Sequence, residues 1–232
     1  MKTAIMQPYF FPYIGYFQLI GAVDLFIVYD NIKYTKQGWI NRNRVLVNGA
    51  ATNLSLPLKK DSDALDVRDR ELAADFNPGK LLNQLTGAYR HAPHFAQVFP
   101  VIEQILRDPE SNLFRFLHHS IVRLCEHMGI TTKIRISSEV AIDHTLKKQD
   151  KVLAICEAVG TDCYVNTIGG LELYSKDDFQ LRGITLRFIR SKPFEYPQFR
   201  CPFVPYLSII DVLMFNPLPA VRECLYSNYE MV

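Results

Sequence analysis

The first thirty residues constrain this chain more than any other stretch. Thr3 to Met6 is a short apolar run that halts at Gln7-Pro8, and Leu25 to Tyr29 (LFIVY) is a β-branched and aromatic run that ends at Asp30. Both have the length and composition of buried strands. Between them Ile14, Phe17, Leu19, Ile20 and Val23 recur near helical spacing, with Pro12 suited to a helix start. Strand, loop, helix and strand in that order predict a right-handed parallel crossover. Gln7 to Tyr16 then lie at the carboxyl end of the first strand, where open α/β sheets bind their ligands.

The same alternation returns later. Lys133 to Ile136 reads as a strand, the stretch near Lys151 to Ala158 as a helix ending at Gly160, and Cys163 to Asn166 and Thr185 to Ile189 as two more strands. In between, Asn48-Gly49 within residues 45 to 58 carries the strongest short hairpin signal. Apolar stripes from Pro78 to Met128 predict helices, the last closed by Gly129. Lys192 to Pro205 is rich in Pro and aromatics and reads as a long irregular segment before a final apolar helix at Leu207 to Phe215. The expected fold is α/β, a mainly parallel Rossmann-like sheet with a helical insertion at about 78–128. At 232 residues the chain stays below the length at which single cores stop growing, roughly 250 to 300 residues, so one domain spanning 1–232 is expected.

Composition narrows the functional classes. Twenty-six Lys and Arg against twenty-four Asp and Glu leave a formal charge of +2, which gives no reason to expect nucleic acid as a partner. No uncharged apolar run approaches the roughly 18 residues of a membrane span, and Pro8 and Pro12 interrupt any signal-peptide core, so a cytoplasmic protein is expected. Five scattered cysteines without C-x-x-C spacing read as reduced thiols, and the six histidines lack the pairing of a metal site, so no metal is expected. No P-loop, G-x-S-x-G or G-x-G-x-x-G occurs, which argues against the common kinases, hydrolases and dinucleotide oxidoreductases.

Several constellations remain as candidates. Tyr13-Ile14-Gly15-Tyr16 occupies the strand-to-helix position of the His-x-Gly-His motif of nucleotidyltransferases, with tyrosines for both histidines. Tyr donates a hydrogen bond but brings no positive charge at neutral pH. A ligand could approach Gly15 between Tyr9, Tyr13 and Tyr16; equally, these rings could form a helix-capping cluster with Gly15 allowing close packing. Lys33, Lys36, Arg42 and Arg44 surround Trp39, which suits an anionic substrate stacked on an indole, or else a solvated charge run. Asn166, Gly169 and Gly170 follow a predicted strand and would line the same crevice. His91 or His94 could act as a general base. Asp211, near the start of the last predicted helix, could be a catalytic base or serve the helix dipole.

Gln7 to Phe17 (QPYFFPYIGYF), Asp30 to Tyr34 (DNIKY) and Gly38 to Arg44 (GWINRNR) resemble the opening signature of the WbqC-like family. The resemblance continues through Tyr89 to Phe95 (YRHAPHF), Ser137-Ser138, Tyr164 to Gly170, Tyr174, Phe179, Tyr196-Pro197-Gln198 and Phe203 to Asp211. Thr167-Ile168-Gly169-Gly170 departs from the smaller Ser-Gly type of loop, which points to a different substrate. The resemblance implies a place in bacterial O-antigen, lipopolysaccharide or related specialised biosynthesis, and transfer of acyl or aminoacyl groups to amino-bearing substrates. The expected partner is a small molecule such as a nucleotide-activated amino sugar, and the expected cofactor is a nucleotide or an activated acyl donor. The sequence carries no signal for an oligomeric state.

The expectation is therefore one crevice with Gln7, Asp30, His94 and Asp211 as catalytic candidates. Its binding residues would be Tyr9, Tyr13, Gly15, Tyr16, Lys36, Trp39, Asn41, Arg42, Asn166, Gly169, Gly170, Tyr196, Gln198 and Ser208. Gln7 and Tyr16 would orient the donor, and Asn41 and Arg42 would hold an anionic group. Two rivals stand beside it: a non-catalytic protein holding a pathway intermediate or a partner enzyme, and a nucleotidyltransferase-like enzyme using the Tyr-Ile-Gly-Tyr variant.

Overall fold

The apolar run at the N-terminus becomes the middle of the molecule. In the computed structural model, which describes residues 1–232, β1 (Lys2–Met6) pairs in parallel with β2 (Leu25–Val28), reached through α1 (Ile14–Gly21). The hairpin follows as β3 (Arg42–Val47) and β4 (Ala50–Ser55). Asn48 (φ 51°) and Gly49 (φ 76°) close it, the left-handed pair that a type I′ turn needs. Then come α2 (Pro78–Tyr89), α3 (Phe95–Leu106), α4 (Leu113–Met128), β5 (Lys133–Ile136), α5 (Lys148–Val159) and β6 (Cys163–Thr167). The chain ends with α6 (Lys176–Leu181), β7 (Thr185–Ser191), α7 (Ile209–Phe215), α8 (Leu218–Ser227) and β8 (Tyr229–Met231).

Six strands form one sheet in the order β5-β2-β1-β6-β7-β8, parallel throughout except for β8 against β7. Counting the parallel strands alone, this is the doubly wound order 3-2-1-4-5, and its direction reverses between β1 and β6. The pleat sorts the side chains. Ala4, Phe26, Val28 and Val165 join α1, α4 and α8 in a core of 49 buried residues. Ile5, Leu25, Ile27 and Tyr164 face the other way, into a core of 13 buried residues under α5 and α6.

The helices α2 to α4 sit between the hairpin and β5, over the segment expected to be helical, and contribute Leu85, Ile102, Leu117 and Leu124 to the larger core. Asn112 caps α4 by accepting from Arg115 N, and Gly129 ends it with a left-handed φ of 75°. One expectation needs correction. The apolar helix at Leu207 to Phe215 begins at Ile209, because Ser208 is its N-cap, and it is not the last element. Asn216-Pro217 breaks the chain only briefly before α8, and β8 then adds an antiparallel edge strand that the sequence pattern did not reveal. No helix is long and apolar enough to cross a membrane.

Candidate functional site

The loop after β1 contains two prolines, so its shape depends on where its carbonyls find donors. Asn43 donates from Nδ2 to Phe10 O (3.1 Å) and Phe11 O (2.8 Å), Ser208 Oγ donates to Phe11 O (2.7 Å), and Ile209 N donates to Pro12 O (2.8 Å). Tyr16 Oη donates to Gln7 O at 2.9 Å. These bonds hold Phe11 at φ 42°, a left-handed conformation that an aromatic residue adopts only when its surroundings impose it. Phe10, Phe11 and Tyr16 are buried as anchors, which leaves Tyr9 and Tyr13 turned outward.

Those two rings, with Pro12, Trp39, Asn43, Arg44 and Tyr206, line a cavity of about 210 Å³. Tyr206, at φ 57° and 74% exposed, forms its outer wall. Arg44 lies over the Trp39 ring at 5.4 Å and donates to Tyr206 O through a long bond of 3.3 Å. Its Nε is buried without a hydrogen-bond partner, and no carboxylate pairs with it. The cation of this cavity is therefore Arg44. Arg42, the residue expected there, turns its Nε to Gly38 O at 3.0 Å.

The other expected residues separate into distinct neighbourhoods instead of sharing that cavity. Asn41 is spent between Tyr34 Oη and Leu56 O, and Lys36 pairs with Asp63 on the surface. Gly15 lies beneath the Tyr13 ring, where an added Cβ would come within 2.2 Å of Tyr13 Oη. Asn166 accepts from Thr167 N (2.6 Å) and donates to Tyr164 Oη (3.0 Å), with Gly170 packed against its amide. Gly169 faces open space. His94 heads α3 beside Met214, near the far end of α7 from the cavity.

Asp211 is fully buried, and its oxygens accept from Tyr89 Oη (2.8 Å), Tyr196 Oη (2.8 Å) and Gln198 Nε2 (2.6 Å). Burial holds its pKa above the ordinary carboxylate value, against the opposing effect of the three donors. Gln198 also holds Val204 through both its N–H and its C=O. The residue thus braces the irregular 192–205 segment against α7.

The carboxyl edge of β2 and β5 gathers a polar cluster. Asp30 accepts from Ser137 Oγ (2.7 Å), Ser138 N (2.9 Å) and Ser138 Oγ (2.6 Å), which ties the ends of the two strands together. Asn31 stands beside Ser137 and meets His144 Nδ1 at 3.0 Å. Lys151, from the first turn of α5, donates to Asn31 O at 3.1 Å and lies 5.3 Å from the Tyr29 ring centre. It is only 5% exposed and belongs to no ion pair. Burial lowers its pKa and lifts the Tyr29 phenol to about 12. Sequence reasoning missed Lys151 because it reads as one more polar residue on an amphipathic helix. It placed Arg44 around Trp39 but chose Arg42 to hold the anion, because spacing alone cannot choose between neighbouring arginines. No three His, Cys, Asp or Glu side chains are grouped in a way that could hold a metal ion.

The sequence model of the WbqC-like protein family matches residues 7–223, a span that contains both the cavity and the Lys151 cluster. The chain belongs to the WbqC-like family. A relative from Mycobacterium tuberculosis (strain ATCC 25618 / H37Rv), the uncharacterized protein Rv1507c, is 27% identical over 218 residues, which is 93% of each chain. No solved structure matches. The matched span of this WbqC-like chain opens at Gln7, the residue that leaves β1, so it includes the whole carboxyl-edge loop.

Proposed function

We propose that this WbqC-like protein is a cytoplasmic transferase or amide-forming enzyme of bacterial surface-polysaccharide or related specialised biosynthesis. It joins an acyl or aminoacyl group from an activated donor to the amine of an amino sugar or similar metabolite. The observation that carries the reading is Lys151: a buried amine at the carboxyl edge of a doubly wound sheet, outside any ion pair, whose pKa burial lowers against the opposing pull of Asp66 and Asp30. An acceptor amine is protonated at neutral pH and cannot attack. In its unprotonated form Lys151 Nζ takes that proton, the freed amine attacks the donor carbonyl carbon, and the donor's leaving group departs with the bonding electrons and the second proton shed by the new amide nitrogen. Tyr29 and the Asn31 carbonyl hold the Lys151 side chain in place.

The test is amide formation followed by mass spectrometry, with nucleotide-activated amino sugars and acyl donors first selected by thermal shift. Lys151→Arg cannot release its proton near neutrality, so kcat is expected to fall by at least about a hundredfold in a variant that circular dichroism shows to be folded. Full turnover by this variant would sink the role of Lys151.

A second reading has one observation in its favour. The cavity lining contains no carboxylate, imidazole or thiol, as suits a protein that holds a pathway intermediate without converting it. Saturable binding with the ligand recovered unchanged from every donor and acceptor combination would favour this second reading.

A further inference from the structure

We propose that the cavity between Tyr9, Tyr13, Trp39, Arg44 and Tyr206 recognises a flat ring bearing a carboxylate or phosphate, with Arg44 meeting the anion and Trp39 the ring. The inference deepens the function proposed above and rests on it for the ligand's part in the reaction. The binding itself rests on the cavity. Its polar side chains include two that can only donate, the Arg44 guanidinium and the Trp39 indole N–H, beside the hydroxyls of Tyr9, Tyr13 and Tyr206, which donate or accept. The one amide, Asn43, is spent, with Nδ2 on Phe10 and Phe11 carbonyls and Oδ1 accepting from Arg44 N.

With Arg44 as the lining's one formal charge and no carboxylate beside it, an anion balances the guanidinium where a neutral ligand does not. Arginines that serve structure alone are commonly paired with a carboxylate or saturated by carbonyls. Arg44 has one long bond to Tyr206 O, a buried Nε without a partner, and an indole beneath it. The rings of Tyr9, Tyr13, Trp39 and Tyr206 add aromatic surface to this cavity of about 210 Å³.

Trp39 is the sole tryptophan of the chain, so its fluorescence reports this cavity and no other place. The probes are two pairs matched except in charge, uridine 5′-monophosphate against uridine and benzoate against benzamide. Saturable quenching or a spectral shift is expected with the anions and not with their neutral counterparts. The uridine pair tests a phosphorylated nucleoside as source and the benzoate pair an aromatic acid, so the stronger anion names the source. Arg44→Met should weaken anion binding at least tenfold, Arg44→Lys less, and circular dichroism confirms that both stay folded. Equal response to anion and neutral, no response to either anion, or unchanged affinity in Arg44→Met would overturn the proposal. Amide formation that survives in a folded Arg44→Met would overturn it while leaving the transferase reading intact; anion binding without turnover does the reverse.

Discussion

Gly15 owes its place to the ring above it. A methyl group there would meet the outer end of the Tyr13 side chain, which is free to swing away, whereas the gain in helix propensity from Gly to Ala is at most about 1 kcal/mol. Gly15→Ala is therefore expected to shift Tm little and to weaken ring-anion binding several-fold by moving Tyr13 out of the cavity wall. Trp39 titration and thermal denaturation of the same variant check this, and a large fall in Tm would show that Gly15 serves packing. Asp211 is the opposite case. Asp211→Asn turns an amide N–H toward donors in a buried site and should cost about 1–3 kcal/mol. Because burial raises the Asp211 pKa, the folded protein binds that proton more tightly than the unfolded chain. Its contribution to stability is full below about pH 4 and is lost as pH rises through the folded value. The stability gap between wild type and Asp211→Asn should thus widen as pH falls from 7 toward 4.5 in urea titrations. At this scale the sequence was partly legible. Tyr9, Tyr13 and Trp39 could be chosen as aromatics near a strand end, but Tyr16 and Asp211 carry the same chemistry in buried positions, and burial depends on contacts with residues far along the chain.

The hairpin shows what was legible at the scale of elements. Asn48-Gly49 demands left-handed φ values whatever surrounds it, so the turn could be placed from two residues. Gly49→Ala should destabilise by about 1 kcal/mol from φ strain alone. The new Cβ would also press to 3.0 Å from Cys201 Sγ, so the 196–206 segment should loosen with it. Chemical denaturation measures the first effect, and faster protease cleavage near Arg200 the second; unchanged cleavage would show that Cys201 is not held by the turn. The elements that escaped are α6, α8 and β8. Six and three residues are too few to display a period, and α8 begins beside a proline pair that also reads as the end of a helix.

For the whole molecule, the alternation of strand and helix was enough to give a mainly parallel sheet, since parallel neighbours require crossovers. The strand order itself depends on which pairings compete, and no local pattern states it. Because one continuous core of 49 residues joins the sheet face to α2, α3 and α4, the helical segment should not unfold separately. Far-ultraviolet circular dichroism and Trp39 fluorescence are expected to give coincident urea transitions; two resolved midpoints would mark the helices as an independent unit.

The bonds that shape the cavity join residues remote in sequence, as in the contact of Ser208 Oγ with Phe11 O across 197 positions. Protein synthesis proceeds from the N-terminus, so the QPYFFPY loop leaves the ribosome long before Tyr206 and Ser208 exist. A nascent chain has both tyrosine walls and, later, Arg44, yet no closed cavity until nearly the last helix has emerged. Ligand capture then becomes a mark of the finished chain, and a truncation before residue 206 would lose the binding site even where the sheet had formed.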